Sequence, residues 1–189
     1  VYTTIVYANI IYIIMVKDIS VHIIHGFHAT PFGDCLIGIT STNKAIMHLT
    51  FVDKNNEEAL NELKNDWPLS KLVEDTSNET NKIIEKIFSR CVTMDDSISV
   101  LMKGTQFQIK VWEALMLIPH GTTVTYEQVA CNIDKPKAVR AVGNAVMKNN
   151  IGYLVPCHRV VGKSGSNKYK WGTKRKENIL LYERDHINT

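Results

Sequence analysis

Apolar residues fall along this chain in two rhythms, and the change from one to the other divides it. From Val21 to Ile24, Leu36 to Ile39 and Ile46 to Phe51, short apolar and β-branched runs are separated by Pro31-Phe32-Gly33-Asp34 and Thr40-Ser41-Thr42-Asn43-Lys44. That pattern predicts strands of a meander. Asn56 to Trp67 and Ser77 to Arg90 then carry Ala59, Leu60 and Leu63, and Ile83, Ile84, Ile87 and Phe88, at helical spacing. Strands followed by helices predict a small α/β domain with an antiparallel sheet over residues 19–101.

The rest of the chain, 102–189, reads as helical. Thr105 can cap a helix holding Phe107, Val111, Trp112, Leu115 and Met116, and Thr125 with Gln128 three residues on is a capping-box signal for a second. Pro136 suits the first turn of a third, which runs through Val139, Val142 and Val146. The second and third, joined by Cys131-Asn132-Ile133-Asp134-Lys135, have the pattern of a helix-turn-helix. Lys137, Arg140 and Lys148 lie on faces its core does not need.

Residues 1–16 carry no charge. They are too short and too interrupted by Thr and Asn to cross roughly 30 Å of hydrocarbon, and they lack the basic start and cleavage site of a signal peptide. The expectation is an apolar extension over 1–18, either upstream translation or a poorly ordered segment, with no membrane as partner.

Net charge changes the picture more than composition does. The 189 residues sum to +3, yet residues 1–101 hold 8 Lys and Arg against 13 Asp and Glu, a balance of −5, while 102–189 hold 14 against 6, a balance of +8. A positive half attached to an acidic one suits a phosphate backbone. Cys35, Cys91, Cys131 and Cys157 show neither CxxC spacing nor a disulfide framework. All four are expected as thiols in an intracellular compartment, cytoplasmic in a prokaryote or nuclear in a eukaryote. His22, His25 and His28 step along a predicted strand by threes and so alternate faces, which makes them poor joint ligands. No metal and no cofactor is expected.

Chemistry concentrates in Pro156-Cys157-His158-Arg159-Val160-Val161-Gly162. A thiolate is the nucleophilic form of cysteine, and imidazole or positive charge nearby favours it. A small buried thiol is the alternative reading. A hydrolase pairing Cys157 directly with His158 is disfavoured, since adjacent side chains on extended backbone point apart.

Pro156 to Val161, preceded by Tyr153-Leu154-Val155, resembles the active-site signature of the O6-alkylguanine-DNA alkyltransferases. Gly104-Thr105-Gln106-Phe107-Gln108, Val111-Trp112-Glu113-Ala114-Leu115, Ile118 to Tyr126 and Pro136 to Gly143 resemble that family in the same order and with similar spacing. The likeness is strong from about Gly104 to Glu183, and Tyr169-Lys170-Trp171-Gly172 places it nearest the Ada C-terminal and Ogt-type branch. The resemblance implies a ribonuclease H-like N-terminal domain and a winged helix-turn-helix-like C-terminal domain that binds DNA through the minor groove. It implies a methylated-DNA-[protein]-cysteine S-methyltransferase. Such a protein flips O6-alkylguanine, and O4-methylthymine as well, out of the duplex and moves the alkyl group irreversibly onto Cys157 in a single turnover.

By the same resemblance, His158 acts through a water as base for Cys157, Glu183 orients the imidazole, Tyr126 donates to guanine N3, and Asn149 is the hinge between recognition helix and active-site strand. Arg140 fills the gap in the stack. Thr125, Lys137, Ala138 and Gly143 meet DNA, while Pro156, Val160, Tyr169 and Lys170 line the base pocket. The implied partner is double-stranded DNA containing O6-alkylguanine, bound by a monomer. The runner-up is a damage-sensing alkyltransferase-like protein, but that class lacks the acceptor cysteine. Two departures stand out. Asn150-Ile151-Gly152 replaces a proline-containing turn and predicts a looser pocket wall, and Glu127 brings a negative charge towards the phosphates.

Overall fold

The computed structural model describes residues 3–7, 10–15, 20–88, 98–163 and 168–185. Its contacts divide into two compact units, Val1–Gly104 and Thr105–Thr189. The boundary falls after Gly104 instead of Leu101 because the last strand of the first unit continues to Lys103 and Thr105 caps the helix that follows.

In the first unit the strands are β1 (Thr3–Tyr7), β2 (Ile10–Met15), β3 (His22–His28), β4 (Cys35–Thr40) and β5 (Ile46–Phe51). Helix α1 (Asn56–Asp66), strand β6 (Lys71–Glu74), helix α2 (Glu79–Phe88) and strand β7 (Ile98–Lys103) complete it. The seven strands lie in the order β1-β2-β7-β5-β4-β3-β6. The predicted meander β3-β4-β5 is antiparallel, but β6 runs parallel to β3 and β7 parallel to both β2 and β5. The sheet is therefore mixed, not antiparallel. A helix between strands returns the chain to the same end of a sheet, so α1 and α2 each permit a parallel partner.

Residues 3–7 and 10–15 correct a second expectation. They are a hairpin of strands at one side of this sheet, β1 antiparallel to β2, and not a poorly ordered extension. Runs rich in Ile, Val, Thr and Tyr favour pleated backbone, and the sheet supplies partners for their amide groups. Ile23, Leu36, Met47, Leu63, Trp67 and Leu101 form the core. Among the described residues no helix is long and apolar enough to cross a membrane.

The second unit holds α3 (Gln106–Met116), β8 (Val124–Thr125), α4 (Tyr126–Asn132), α5 (Val139–Met147), a single 3₁₀ turn at Cys157–Arg159, β9 (Val160–Val161) and α6 (Thr173–Asp185). Both predicted capping boxes are present, Thr105 with Gln108 and Thr125 with Gln128. Pro136 lies outside the helix it was expected to start. It sits in a turn closed by Ala138 N donating to Lys135 O at 2.8 Å, where its fixed φ suits the second position, and α5 begins only at Val139. Trp112 on α3 donates to Ala145 O of α5 at 2.9 Å. β8 and β9 pair in parallel, Val124 beside Val160 and Thr125 beside Val161, and this ties the start of α4 to the chain leaving Cys157.

Candidate active site

Cys157 opens the 3₁₀ turn and is 3% exposed. Its Sγ accepts a hydrogen bond from Asn149 Nδ2 at 3.1 Å. The same amide nitrogen donates to Val155 O at 2.9 Å, and Asn149 Oδ1 accepts from Ile151 N at 3.0 Å. One buried side chain thus joins the end of α5, the segment 151–155 and the thiol. In the Asn150-Ile151-Gly152 turn, these bonds fall on Ile151.

His158 is fully buried, and its Nε2 lies 2.7 Å from Glu183 Oε1. Ionised, Glu183 can only accept, so Nε2 carries the proton and donates. That leaves Nδ1 as the lone-pair nitrogen, and it has no protein partner among the described residues. Glu183 is satisfied from several directions: Arg159 Nε at 3.1 Å, Arg159 Nη2 at 2.8 Å and the Gly121 backbone N at 3.0 Å. Arg159 Nη1 donates to Ile118 O at 2.5 Å. The guanidinium therefore serves the carboxylate and not the thiol.

Burial pushes the Cys157 thiol up, opposed by the Asn149 hydrogen bond and by the charges of Lys176 and Lys170. Burial likewise holds His158 below its ordinary value, against the pull of Glu183. Burial alone would raise Glu183, but hydrogen bonds from His158 and Arg159 outweigh it and bring the carboxyl down to about 2. Both shifts give one sign of pH dependence. As pH falls below 6.5 the unfolded chain protonates His158 first, and below 4.5 it protonates Glu183 while the folded carboxyl stays ionised down to about 2. The unfolded state binds more protons in both windows, so stability is lost as pH falls through them. The thermal midpoint of the protein is expected to be lower at pH 4 than at pH 7. An equal or higher midpoint at pH 4 contradicts this reading of the pair.

Residues 106–185 match the family of the 6-O-methylguanine DNA methyltransferase DNA binding domain. A methylated-DNA--protein-cysteine methyltransferase of Kluyveromyces lactis is 47% identical over 81 residues, 42% of this chain and 43% of that protein, so the chain spans less than half of that relative's length. The inducible methylated-DNA--protein-cysteine methyltransferase of Bacillus subtilis is 37% identical over 155 residues, covering 81% of this chain and 87% of that protein. The chain belongs to the O6-methylguanine-DNA methyltransferase family. The crystal structure of the Mycobacterium tuberculosis O6-methylguanine methyltransferase agrees, with 30% identity, a TM-score of 0.65 and coverage of 88% of this chain and 94% of that one.

In this methyltransferase-family chain the other residues singled out from the sequence fall into two groups. Near the thiol stand Tyr126 and Tyr169. Burial and then Cys157 raise the Tyr126 phenol, and the same two causes hold Tyr169 well above its usual value. The Tyr169 hydroxyl is buried without a hydrogen bond of good geometry. Pro156 precedes the 3₁₀ turn, Val160 follows it, and Lys170 places its Nζ 5.1 Å from the Trp171 ring centre. Of the residues expected to meet DNA, Lys137 and Arg140 are exposed, Ala138 precedes α5, and Gly143 lies against Tyr126, where an added Cβ would stand 4.0 Å from its ring. The Thr125 hydroxyl is engaged as a helix cap, accepting from Gln128 N at 3.1 Å. Glu127 lies 3.4 Å from Lys163, which offsets its charge.

Sequence reasoning missed two site residues. Arg159 reads in the sequence only as a positive charge two residues from Cys157, and nothing in the motif signals its contact with Glu183. Lys176 is the other: it is fully buried on α6, donates to Val160 O at 2.5 Å and favours the Cys157 thiolate. The signal was its spacing, since Lys176, Ile179, Leu180 and Glu183 share one buried stripe of α6.

Proposed function

We propose that this chain repairs DNA by taking the alkyl group of O6-alkylguanine, and of O4-methylthymine, onto its own Cys157. The observation that carries the reading is the buried Glu183–His158 pair beside a thiol held by Asn149. Nδ1 of His158, free to accept, takes the thiol proton by way of a water. The Cys157 sulfur attacks the alkyl carbon in line, an S–C bond forms, and the C–O6 bond breaks with its electron pair going to the guanine. Tyr126 passes a proton to N3 of the leaving base and regains one, through water, from the imidazolium that His158 became, so the proton lost by the thiol ends on guanine. Asn149 and Lys176 favour the thiolate before transfer. The alkylated sulfur is a thioether, and nothing in the site regenerates it, so each protein reacts once.

The O6 position is stacked inside a duplex, so the nucleotide has to be extruded first. We read α4, the turn and α5 as the helix-turn-helix of a winged domain in the minor groove. Arg140 is exposed and makes no hydrogen bond or ion pair among the described residues, which leaves it available to enter the stack. The start of α5 has no side-chain cap, so its amide groups, with Lys137, suit a phosphate. The antiparallel β3-β4-β5 meander with β6 parallel to β3 supports a ribonuclease H-like reading of the first unit. The protein acts as a monomer in a reducing intracellular compartment, where Cys35, Cys131 and Cys157 stay thiols.

Arg140→Ala separates flipping from chemistry. The variant is expected to slow transfer from methylated duplex DNA by at least an order of magnitude, while its reaction with free O6-benzylguanine stays near wild type, because a free base needs no extrusion. Single-turnover rates on the two substrates check this. Equal loss on both removes Arg140 from the flipping step, and a wild-type protein that reacts with neither substrate contradicts the function.

A further inference from the structure

Glu183, Tyr169 and Tyr153 flank the His158 ring. Glu183 meets Nε2, Tyr169 stands edge-on with centroids 6.5 Å apart, and Tyr153 lies nearly parallel, with centroids 6.0 Å and planes 15° apart. Tyr153 holds this place from a strained backbone. Its φ is +66°, the left-handed region in which a Cβ crowds the following carbonyl. Gly152 next to it would take that conformation without strain, yet the left-handed residue is Tyr153 and not Gly152. The turn is closed around both by Leu154 N donating to Gly152 O at 2.7 Å and Val155 N to Ile151 O at 3.1 Å. Strain kept on a bulky residue beside a reacting group persists because the surrounding structure holds it there, and it marks a candidate functional position.

We infer that the Tyr153 ring is a positioning residue for the His158 relay. It keeps the imidazole in the plane that meets Glu183 and favours the imidazolium formed when His158 takes the Cys157 proton. The face of an aromatic ring is negative and attracts a cation lying over it. The other charged and titratable groups facing His158 are Glu183 from α6, Arg159 beside it in the chain, His120 from the segment after α3, and Tyr169. Glu183 favours a positive imidazole, and Arg159 and His120 oppose it. Tyr153 adds to the favouring side without adding a charge that burial would penalise. This inference rests on reading His158 as the base for Cys157.

Tyr153→Leu keeps an apolar side chain and removes the ring face. Iodoacetamide labelling of Cys157 at pH 7 is expected to slow about three- to tenfold, and the midpoint of its pH profile to rise by about half a unit to one unit. Tyr153→Phe, which keeps the ring face, is expected to restore most of the labelling rate lost in Tyr153→Leu. Tyr153→Asn, whose side chain tolerates left-handed backbone, makes the same prediction as Leu should the Leu variant not fold. On a His158→Ala background Tyr153→Leu is expected to change nothing further, because the partner through which it acts is gone. An unchanged labelling profile with only the melting temperature lowered overturns the inference, and so does a shift that persists on the His158→Ala background. Failure of the repair reading looks different: the labelling profiles shift as expected, but wild-type protein takes no methyl group from DNA.

Discussion

Cys157→Ala is expected to carry no methyl group after exposure to methylated DNA, while binding the same duplex as tightly as the wild type. The substitution removes the one sulfur that Asn149 and Lys176 serve, and no other residue of the site is a comparable nucleophile. It leaves the fold nearly intact. Asn149 keeps Val155 O and Ile151 N as partners, and deleting a small buried sulfur opens only a small cavity. Arg140, Lys137 and the start of α5 are untouched. Radiolabel on the protein and fluorescence anisotropy on the duplex measure the two halves separately. A labelled mutant, or one that loses DNA binding along with transfer, contradicts the assignment of Cys157 as acceptor alone.

Glu183→Gln carries the second large effect, and it acts on stability and chemistry together. The carboxylate accepts from His158 Nε2, Arg159 Nε and Nη2, and Gly121 N. An amide of the same shape leaves the buried Arg159 guanidinium without an anion. Breaking a buried pair in this way costs about 3–5 kcal/mol, and a clear fall in melting temperature is expected. His158 loses the charge that stabilises its protonated form and becomes the weaker base. The apparent pKa of the Cys157 thiol therefore rises, and transfer slows at neutral pH with partial recovery in alkali as hydroxide supplies the thiolate. Thermal unfolding and iodoacetamide labelling across pH report the two effects. A variant with wild-type melting and wild-type labelling would mean that Cys157 is activated by some other group.

The local features were legible wherever a short stretch of sequence decides the structure. Thr105 and Thr125 cap their helices because a hydroxyl with Gln three residues later closes a capping box whatever lies around it. Leu36 to Ile39 and Ile46 to Phe51 are strands because β-branched runs bounded by turns have few other outcomes. Long-range pairing was not legible. Lys71–Glu74 is four residues with a charge at each end, and only its place beside β3 makes it a strand. The apolar start of the chain looked like an appendage because its partner, β7, lies more than eighty residues away in sequence.

The active site divides in the same way. Cys157, His158 and Glu183 were visible through one motif and its likeness to a family. Arg159 and Lys176 were not, because a buried cation looks like a surface one until its partner is known, and those partners are Glu183 and Val160 O. Pro136 misled for the opposite reason, since a proline suits the first turn of a helix and the second position of a tight turn equally well.

The central claim is that the alkyl group leaves guanine and stays on Cys157. A duplex containing one O6-methylguanine, mixed with an equal amount of protein, tests it directly when the digested protein is read by mass spectrometry and the duplex is assayed for restored guanine. The account predicts one methyl group per protein, located on the peptide that contains Cys157, with guanine restored in equal amount and no further repair when more duplex is added. Restored guanine with no methyl on that peptide, or repair continuing beyond one equivalent, would contradict it.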